Sequence, residues 1–171
     1  MVPNLYLAPN TLTQRMEGPT CSGYICMDLS KMKDGDCDGL AAFNGDSGVL
    51  TIKKQGKKLV LQMSEQKVSL TDREKAVSKV EEKLVESVEL NQNKIWLRLD
   101  GDFQPRHGDA ANFYYSLDGE QWTKIGTENY RMQFDYRRFF MGTKFGIFNY
   151  ATKKVGGYVD VDEFCYSKTE K

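Results

Sequence analysis

The chain has 171 residues, 40% of them hydrophobic and 12% aromatic, which fits one globular domain with a real core and excludes a disordered chain. Its 24 lysines and arginines balance 24 aspartates and glutamates, so no global field steers it towards nucleic acid or an anionic membrane. No apolar run approaches the roughly 20 residues that span a bilayer.

In chain order, the opening MVPNLYLAPN lacks the basic region and continuous apolar stretch of a signal peptide, and reads as an initiator Met before a domain cut from a longer chain. Asp34-Gly-Asp36-Cys-Asp38-Gly39 imitates the first half of an EF-hand loop. The position that needs a bidentate Glu holds Gly45, so the segment reads as a turn between strands. Val49–Lys53 and Leu59–Met63 read as strands. Thr71–Leu90 mixes good helix formers with alternation at Val80, Leu84, Val88 and Leu90. It reads as a turn or short helical piece near Asp72–Lys75, then a polar-faced strand from about Val80, its charges a solvated edge. Ile95, Leu97 and Leu99 alternate with Trp96, Arg98 and Asp100, and Phe113, Tyr115 and Leu117 with Tyr114 and Ser116. KFGIFNY and GYVDVDEFCY complete the set. Turn pairs bound these runs (Asp34-Gly35, Asn44-Gly45, Gln55-Gly56, Asp118-Gly119, Gly156-Gly157), and the four prolines all fall outside them. Many short strands at close spacing predict one all-β domain over 1–171, a sandwich or barrel.

The chemistry-bearing residues are sparse. Cys21, Cys26, Cys37 and Cys165 form no CxxC pair, and His107 is the only histidine, so a zinc site would need scattered ligands. Buried thiols are the simpler reading, with Cys26–Cys165 as the one disulfide suggested by neighbouring first and last strands. His107 sits in a loop, QPRHGDAAN, with no nucleophile elbow. The acidic run Asp160-Val-Asp162-Glu163 has the wrong order and spacing for the paired carboxylates of a sandwich glycosidase. Alternation sets Asp160, Asp162 and Phe164 on one face, and with Phe164 inward Asp162 becomes partly buried. It then needs a cation, backbone donors or calcium. On KIWLRLD, inward Ile95, Leu97 and Leu99 turn Trp96 and Arg98 outward, and Tyr114 follows. Outward aromatics beside a planar cation fit either a sugar surface or cross-strand packing. Trp122, just after a hairpin turn in SLDGEQWTKIG, reads as structural.

Five segments carry a resemblance: NTLTQRMEGP (Asn10–Pro19), MKDGDCDGLAAF (Met32–Phe43), IWLRLDGDF (Ile95–Phe103), ANFYYSLDGEQWTKIG (Ala111–Gly126) and FMGTKFGIFNYATKKVGGYVDVDEFCY (Phe140–Tyr166). In order, and over nearly the whole chain, they resemble the C-terminal domain of glycoside hydrolase family 43 enzymes, the β-xylosidases and α-L-arabinofuranosidases. The resemblance implies a concanavalin A-like jelly-roll β-sandwich of two antiparallel sheets. It also implies an N-terminal catalytic propeller as partner, carrying three carboxylates that this chain lacks, and a secreted or periplasmic parent enzyme. By the same resemblance a structural calcium is expected at Asp162, with Glu17 as companion. Three functions follow: a non-catalytic module binding xylan or arabinoxylan oligosaccharides on the concave sheet, a domain that packs on the propeller, or a stand-alone hydrolase. The expected sugar-binding residues are Trp96, Arg98 and Tyr114, with Asn149 and Tyr150 beside them. The paired aromatics of RRFFMG (Arg137–Gly142) serve either of the first two readings.

Overall fold

Twelve strands account for the architecture: β1 (Asn10–Arg15), β2 (Thr20–Asp28), β3 (Asp36–Phe43), β4 (Ser47–Gln55), β5 (Lys58–Leu70), β6 (Val77–Leu90), β7 (Lys94–Asp102), β8 (Ala110–Ser116), β9 (Thr123–Lys124), β10 (Tyr130–Arg131), β11 (Lys144–Ala151) and β12 (Asp160–Lys168). Among the described residues one 3₁₀ turn, Leu5–Leu7, precedes these twelve strands. The computed structural model describes residues 1–73, 76–106, 108–133 and 141–169. His107 and Arg137–Phe140, singled out above, lie outside the described residues. The first sheet runs β1-β11-β3-β4-β5-β6, and the second runs β10-β8-β7-β2-β12 with β9 against β8. Strand neighbours are antiparallel throughout.

The two-residue period supplies the core. Ile95, Leu97 and Leu99 of β7 are fully buried, as are Ile25 and Met27 of β2 and Phe113 of β8. They meet Leu40, Leu50, Ile52, Leu61, Met63 and Phe145 of the first sheet. Each such side chain contributes about 1.5–3 kcal/mol by leaving water. β3 is buried on both faces, because its outward residues face a second cluster. There Cys37, Ala41, Val49, Phe148 and Tyr150 pack around Leu5 of the N-terminal segment. Gly39 lies beneath this cluster. A Cβ there would come within 1.9 Å of the Leu50 carbonyl oxygen and 3.1 Å of the Phe148 ring.

Thr71–Leu90 holds the expected turn and then the polar-faced strand: β5 ends at Leu70, and β6 begins at Val77, three residues before the expected Val80. Thr71 closes the turn, its N–H donating to Ala76 O at 2.9 Å and its Oγ1 accepting from Ala76 N at 3.2 Å. Pairing along the whole of β5 overrides the helix propensity of the segment. Asp72 and Arg73 lie in this turn, and Glu74 and Lys75 lie outside the described residues. The DGDCDG turn is shorter than its composition suggests, since β3 has begun by Asp36. Cys26 and Cys165 are both free. Register sets Cys26 opposite Glu163 and Cys165 opposite Tyr24. The two are therefore offset by two residues, about 7 Å along the strand, beyond disulfide reach. Finally, β12 carries a bulge between Val161 and Glu163, and the extra residue is Asp162. The bulge breaks the alternation that placed Asp162 on Phe164's face, and leaves Asp162 exposed.

The first sheet curls. Lys53 lies opposite Val60, and Glu82 lies opposite Gln66, six positions further along β5. A flat sheet would separate those positions by about 20 Å. Yet Lys53 Nζ and Glu82 Oε1 are 3.5 Å apart, so the outward side of this sheet is its hollow side.

Candidate functional site

The hollow of the first sheet, where a sugar was expected, is lined by the chain itself. Val2 N–H donates to Ala151 O at 3.0 Å, and the Tyr6 hydroxyl donates to Gly45 O at 2.6 Å, so residues 2–8 cross the sheet. Leu5 is buried at its centre. Tyr150, expected on a sugar surface, is buried in this cluster against Phe148 and Leu5. Asn149 shares the inward face of Ile147, and its Nδ2 donates to Asp38 Oδ1. Both are held away from Trp96, Arg98 and Tyr114, because they belong to the other sheet.

The outward face of the second sheet is different. Arg98 projects from β7 and donates through Nε and Nη2 to both oxygens of Asp100, each at 2.8 Å. Asp100 Oδ1 also accepts from Ser22 Oγ of β2 at 2.6 Å. The guanidinium lies 5.3 Å from the Tyr114 ring centre and 5.6 Å from that of Trp122. Trp122 in turn packs against Tyr24, with ring centres 5.9 Å apart. Two aromatic rings thus flank one planar cation that donates to a carboxylate, and a third ring packs behind Trp122.

Trp122 owes its place to the turn before it. Asp118 Oδ1 accepts from Glu120 N at 2.9 Å, from Gln121 N at 2.8 Å and from Ser116 Oγ at 2.9 Å. These donors, the Gln121 amide foremost, hold the Asp118 carboxyl below its ordinary range. Gly119 follows with φ +82°. A Cβ there would lie 3.0 Å from Trp96, so the turn rests on the Trp96 ring. Lys94 Nζ sits 5.5 Å from the centre of the same ring. Trp96 and Trp122 are both half-buried; the turn and Lys94 lie against Trp96, whereas Trp122, read from the sequence as structural, lines a cleft. The Ser-x-Asp-Gly-x-x-Trp spacing was the signal: a self-bonded turn fixes the residue just beyond it.

Two clefts of about 350 and 340 Å³ run together along this face, sharing Ser22, Arg98 and Ser167. Tyr24 and Trp122 line the first and give it its aromatic character, with Cys165, Tyr166 and Ser167 of β12 beside them. Asp100, Asp102, Asn112 and Lys168 line the second, which is polar. Tyr24 donates to Glu163 Oε1 at 3.2 Å. Its hydrogen bond with the Cys165 thiol, and then burial, push its hydroxyl up to about 12, so it stays protonated near neutral pH. The ensemble has the make-up of a small-ligand site: apolar ring faces with a few polar groups that fix orientation.

The expected calcium pair is not brought together. Asp162 Oδ2 accepts from Lys94 Nζ at 3.0 Å, and Glu17 Oε2 accepts from Lys168 Nζ at 2.6 Å. These contacts fall at opposite ends of β12. Each carboxylate is matched by a lysine, and the residues present do not form one cation site. Among the described residues no group of three or more His, Cys, Asp or Glu side chains is placed to hold a metal.

Comparison with known proteins agrees with the fold and the motifs. The sequence matches the family "Beta xylosidase C-terminal Concanavalin A-like domain" over residues 2–167. A β-xylosidase of Formosa agariphila is 26% identical over 166 residues, covering 95% of this chain and 24% of that protein. The solved structure of a bifunctional GH43-CE protein of Bacteroides eggerthii superposes with a TM-score of 0.84 at 38% identity, over 100% of this chain and 20% of its own. A GH43 glycoside hydrolase engineered to display both endo-xylanase and exo-arabinofuranosidase activity superposes at 0.81 with 31% identity, over 92% and 30%. The chain spans at most about a third of each of these proteins. With two antiparallel sheets in the order described and a match from residue 2 to 167, the chain belongs to the family of concanavalin A-like C-terminal domains of GH43 β-xylosidases.

Proposed function

We propose that this domain is a non-catalytic module of a family 43 glycoside hydrolase acting on xylan or arabinoxylan, and that it holds oligosaccharide along the outward face of the second sheet. One observation carries the reading: Trp122 and Tyr24 line a cleft that continues into the polar cleft of Asp100 and Asn112. Sugar rings pack on aromatic faces, and planar polar groups fix their hydroxyls. The oxygens of Asp100 accept from Arg98 and Ser22, so this carboxylate is poorly placed to act as a free acid or base on a substrate.

Packing on the catalytic domain is a second reading, supported at another place. Leu12 of edge strand β1 and Phe164 of edge strand β12 both face between the sheets, yet are 74% and 37% exposed. That open flank is suited to a neighbouring domain of the parent chain. Calorimetric titration with xylohexaose separates the two. Binding weakened by Trp122→Ala by about thirtyfold, on the order of 2 kcal/mol for a central aromatic anchor, with the melting temperature held, supports the module reading. No heat with xylohexaose or arabinoxylan, or binding indifferent to Trp122→Ala, overturns this assignment of the surface.

A further inference from the structure

Strand β6 is the outer strand of the first sheet and pairs with β5 along its length. Residues 81–87 are all exposed, and two of them are large and apolar, Leu84 at 51% and Val85 at 37%. An exposed strand edge presents N–H and C=O groups that a further strand can take up. The charges along β6 decide which strand fits.

Register against β5 fixes the two faces of β6. Lys79, Glu81, Lys83 and Glu86 lie opposite Ser69, Lys67, Glu65 and Met63, on the side turned towards the second sheet. Val80, Glu82 and Leu84 lie opposite Val68, Gln66 and Ser64, on the hollow side. Val85 is an extra residue, because Met63 faces Glu86 and Ser64 faces Leu84. A second copy of β6, laid antiparallel beside the first with a two-fold axis at Glu82, complements it. Glu81 then meets Lys83, Val80 meets Leu84 and, with Val85 passed over, Lys79 meets Glu86. Symmetry makes each relation occur twice. The bulge is part of the match, since it puts Lys79 and Glu86 on one side of the strand. At the axis Glu82 meets its own copy, and each Glu82 Oε1 has Lys53 Nζ 3.5 Å away.

Charge also rejects the adjacent registers. An axis at Glu81 sets Lys79 against Lys83. An axis at Lys83 sets that lysine against itself and Glu81 against Glu86. Charges and bulges can also keep an edge from pairing, but charges that only block need not complement their own copy. Within one chain Lys79 Nζ lies 2.6 Å from Glu81 Oε1, and Lys83 Nζ lies 3.8 Å from Glu65 Oε2. Pairing brings each lysine a second carboxylate. Exposed pairs of this kind are individually weak, so they set the register, while covering Val80 and Leu84 adds an apolar contribution. An interface of one short strand pair is small and gives a weak, concentration-dependent dimer.

We infer that this chain self-associates edge to edge, β6 against β6 of a second copy about a two-fold axis at Glu82, so that the two first sheets become one. The inference stands apart from the sugar-binding reading, which concerns the other sheet.

The test is sedimentation velocity of the chain at concentrations from tens of micromolar to millimolar, with thermal melts to check folding. Wild type should move from one chain towards two as concentration rises, less so at high sodium chloride. Glu81→Lys sets a lysine against Lys83, and Lys83→Glu sets a glutamate against Glu81. Each reversal occurs twice in the dimer and should weaken association about tenfold. Both positions are exposed, so folding should hold. An equimolar mixture of the two variants should regain the wild-type association. In the mixed pair the new lysine of one variant faces the new glutamate of the other, and the remaining pair is native Glu81 with native Lys83. A defect within one chain would not be repaired by mixing. Wild type that stays a single chain at millimolar concentration overturns the inference. So does a dimer that neither variant weakens, or one that mixing does not restore.

Discussion

The outward faces of the two sheets come from the same kind of sequence and end in opposite states. Both sheets alternate apolar and polar residues, so each has a face turned from the core. On the first sheet that face is hollow and is sealed by residues 2–8, with Leu5 buried and Tyr6 bonded to Gly45 and Ser47. On the second it stays open, and Arg98, Tyr114, Trp122 and Tyr24 remain half-buried. The hollow face of such a sandwich is the natural place to seek a ligand, and here the chain fills it. The aromatic and polar groups suited to a sugar stand on the outward face of the second sheet. What separates the two faces is a covering segment whose sequence, NLYLAPN, has no period at all.

The largest way to break this contrast is at the seal. Leu5→Ala removes the centre of a cluster shared with Cys37, Ala41, Val49, Phe148 and Tyr150. A buried leucine truncated to alanine costs about 2–5 kcal/mol. Urea denaturation should show a loss in that range, whereas Trp122→Ala on the open face should change stability far less than it changes binding. A loss below about 1 kcal/mol for Leu5→Ala would mean that the N-terminal segment rests loosely on the sheet, and would return the hollow to the list of ligand surfaces.

Next in size is the inner side of the first sheet, where Asp38 sharpens the contrast between a face that is closed and one that is satisfied. Asp38 is fully buried, and its Oδ2 has no hydrogen-bond partner. Burial, opposed by the Asn149 hydrogen bond and reinforced by the charge of Asp36, raises its carboxyl from 3.8 to about 7. The folded state therefore holds a proton that the unfolded chain releases between about pH 4 and 7. Stability is greatest below that window, falls as pH rises through it and levels off above about pH 7. The full difference is at most about 4 kcal/mol, at about 1.4 kcal/mol per unit. Denaturation at pH 5 and pH 8 should show the wild type weaker at pH 8 once the other titrating groups are accounted for by Asp38→Asn, which should flatten the difference and be the more stable protein at pH 8. A wild type that gains stability over this range relative to Asp38→Asn would reject the assignment.

Much of the fold could be read directly, and the misses share a cause. The period of two marked the interior of β7 and β8, and glycine pairs marked turns, because both depend on residues close in sequence. The surroundings of Trp96 and Trp122 were not legible because they come from across the sheet: the turn at Gly119 and the side chain of Lys94 on one ring, a cleft by the other. Arg98 and Tyr114 point outward as alternation alone predicts. Asn149 and Tyr150 sit in the most recognisable motif of the chain, but its use here is internal, one residue facing Asp38 and the next facing Leu5. Recognisability marked a packing constraint between sheet and N-terminal segment, and was mistaken for a ligand contact.

The smallest expected effect concerns the last strand. A bulge lets Asp162 leave the alternation of β12, and its carboxylate lies 3.0 Å from Lys94 Nζ, with both side chains about half exposed. Pairs of that kind contribute about 0–1 kcal/mol, less in salt. Asp162→Ala should therefore lower stability by under about 1 kcal/mol, and the loss should shrink further at high sodium chloride. Lys94 also leans on the Trp96 ring, so releasing it from Asp162 could let it settle more fully there and reduce the loss again. The measurement is a thermal melt of wild type and Asp162→Ala, each with calcium and with chelator. A small, salt-sensitive loss that is the same in calcium and in chelator means that the aspartate at the bulge balances a lysine. A melting temperature that rises with calcium in the wild type, and no longer does so after Asp162→Ala, would mean that the bulge holds the cation implied by the family resemblance, and that Lys94 stands in for it when the ion is absent.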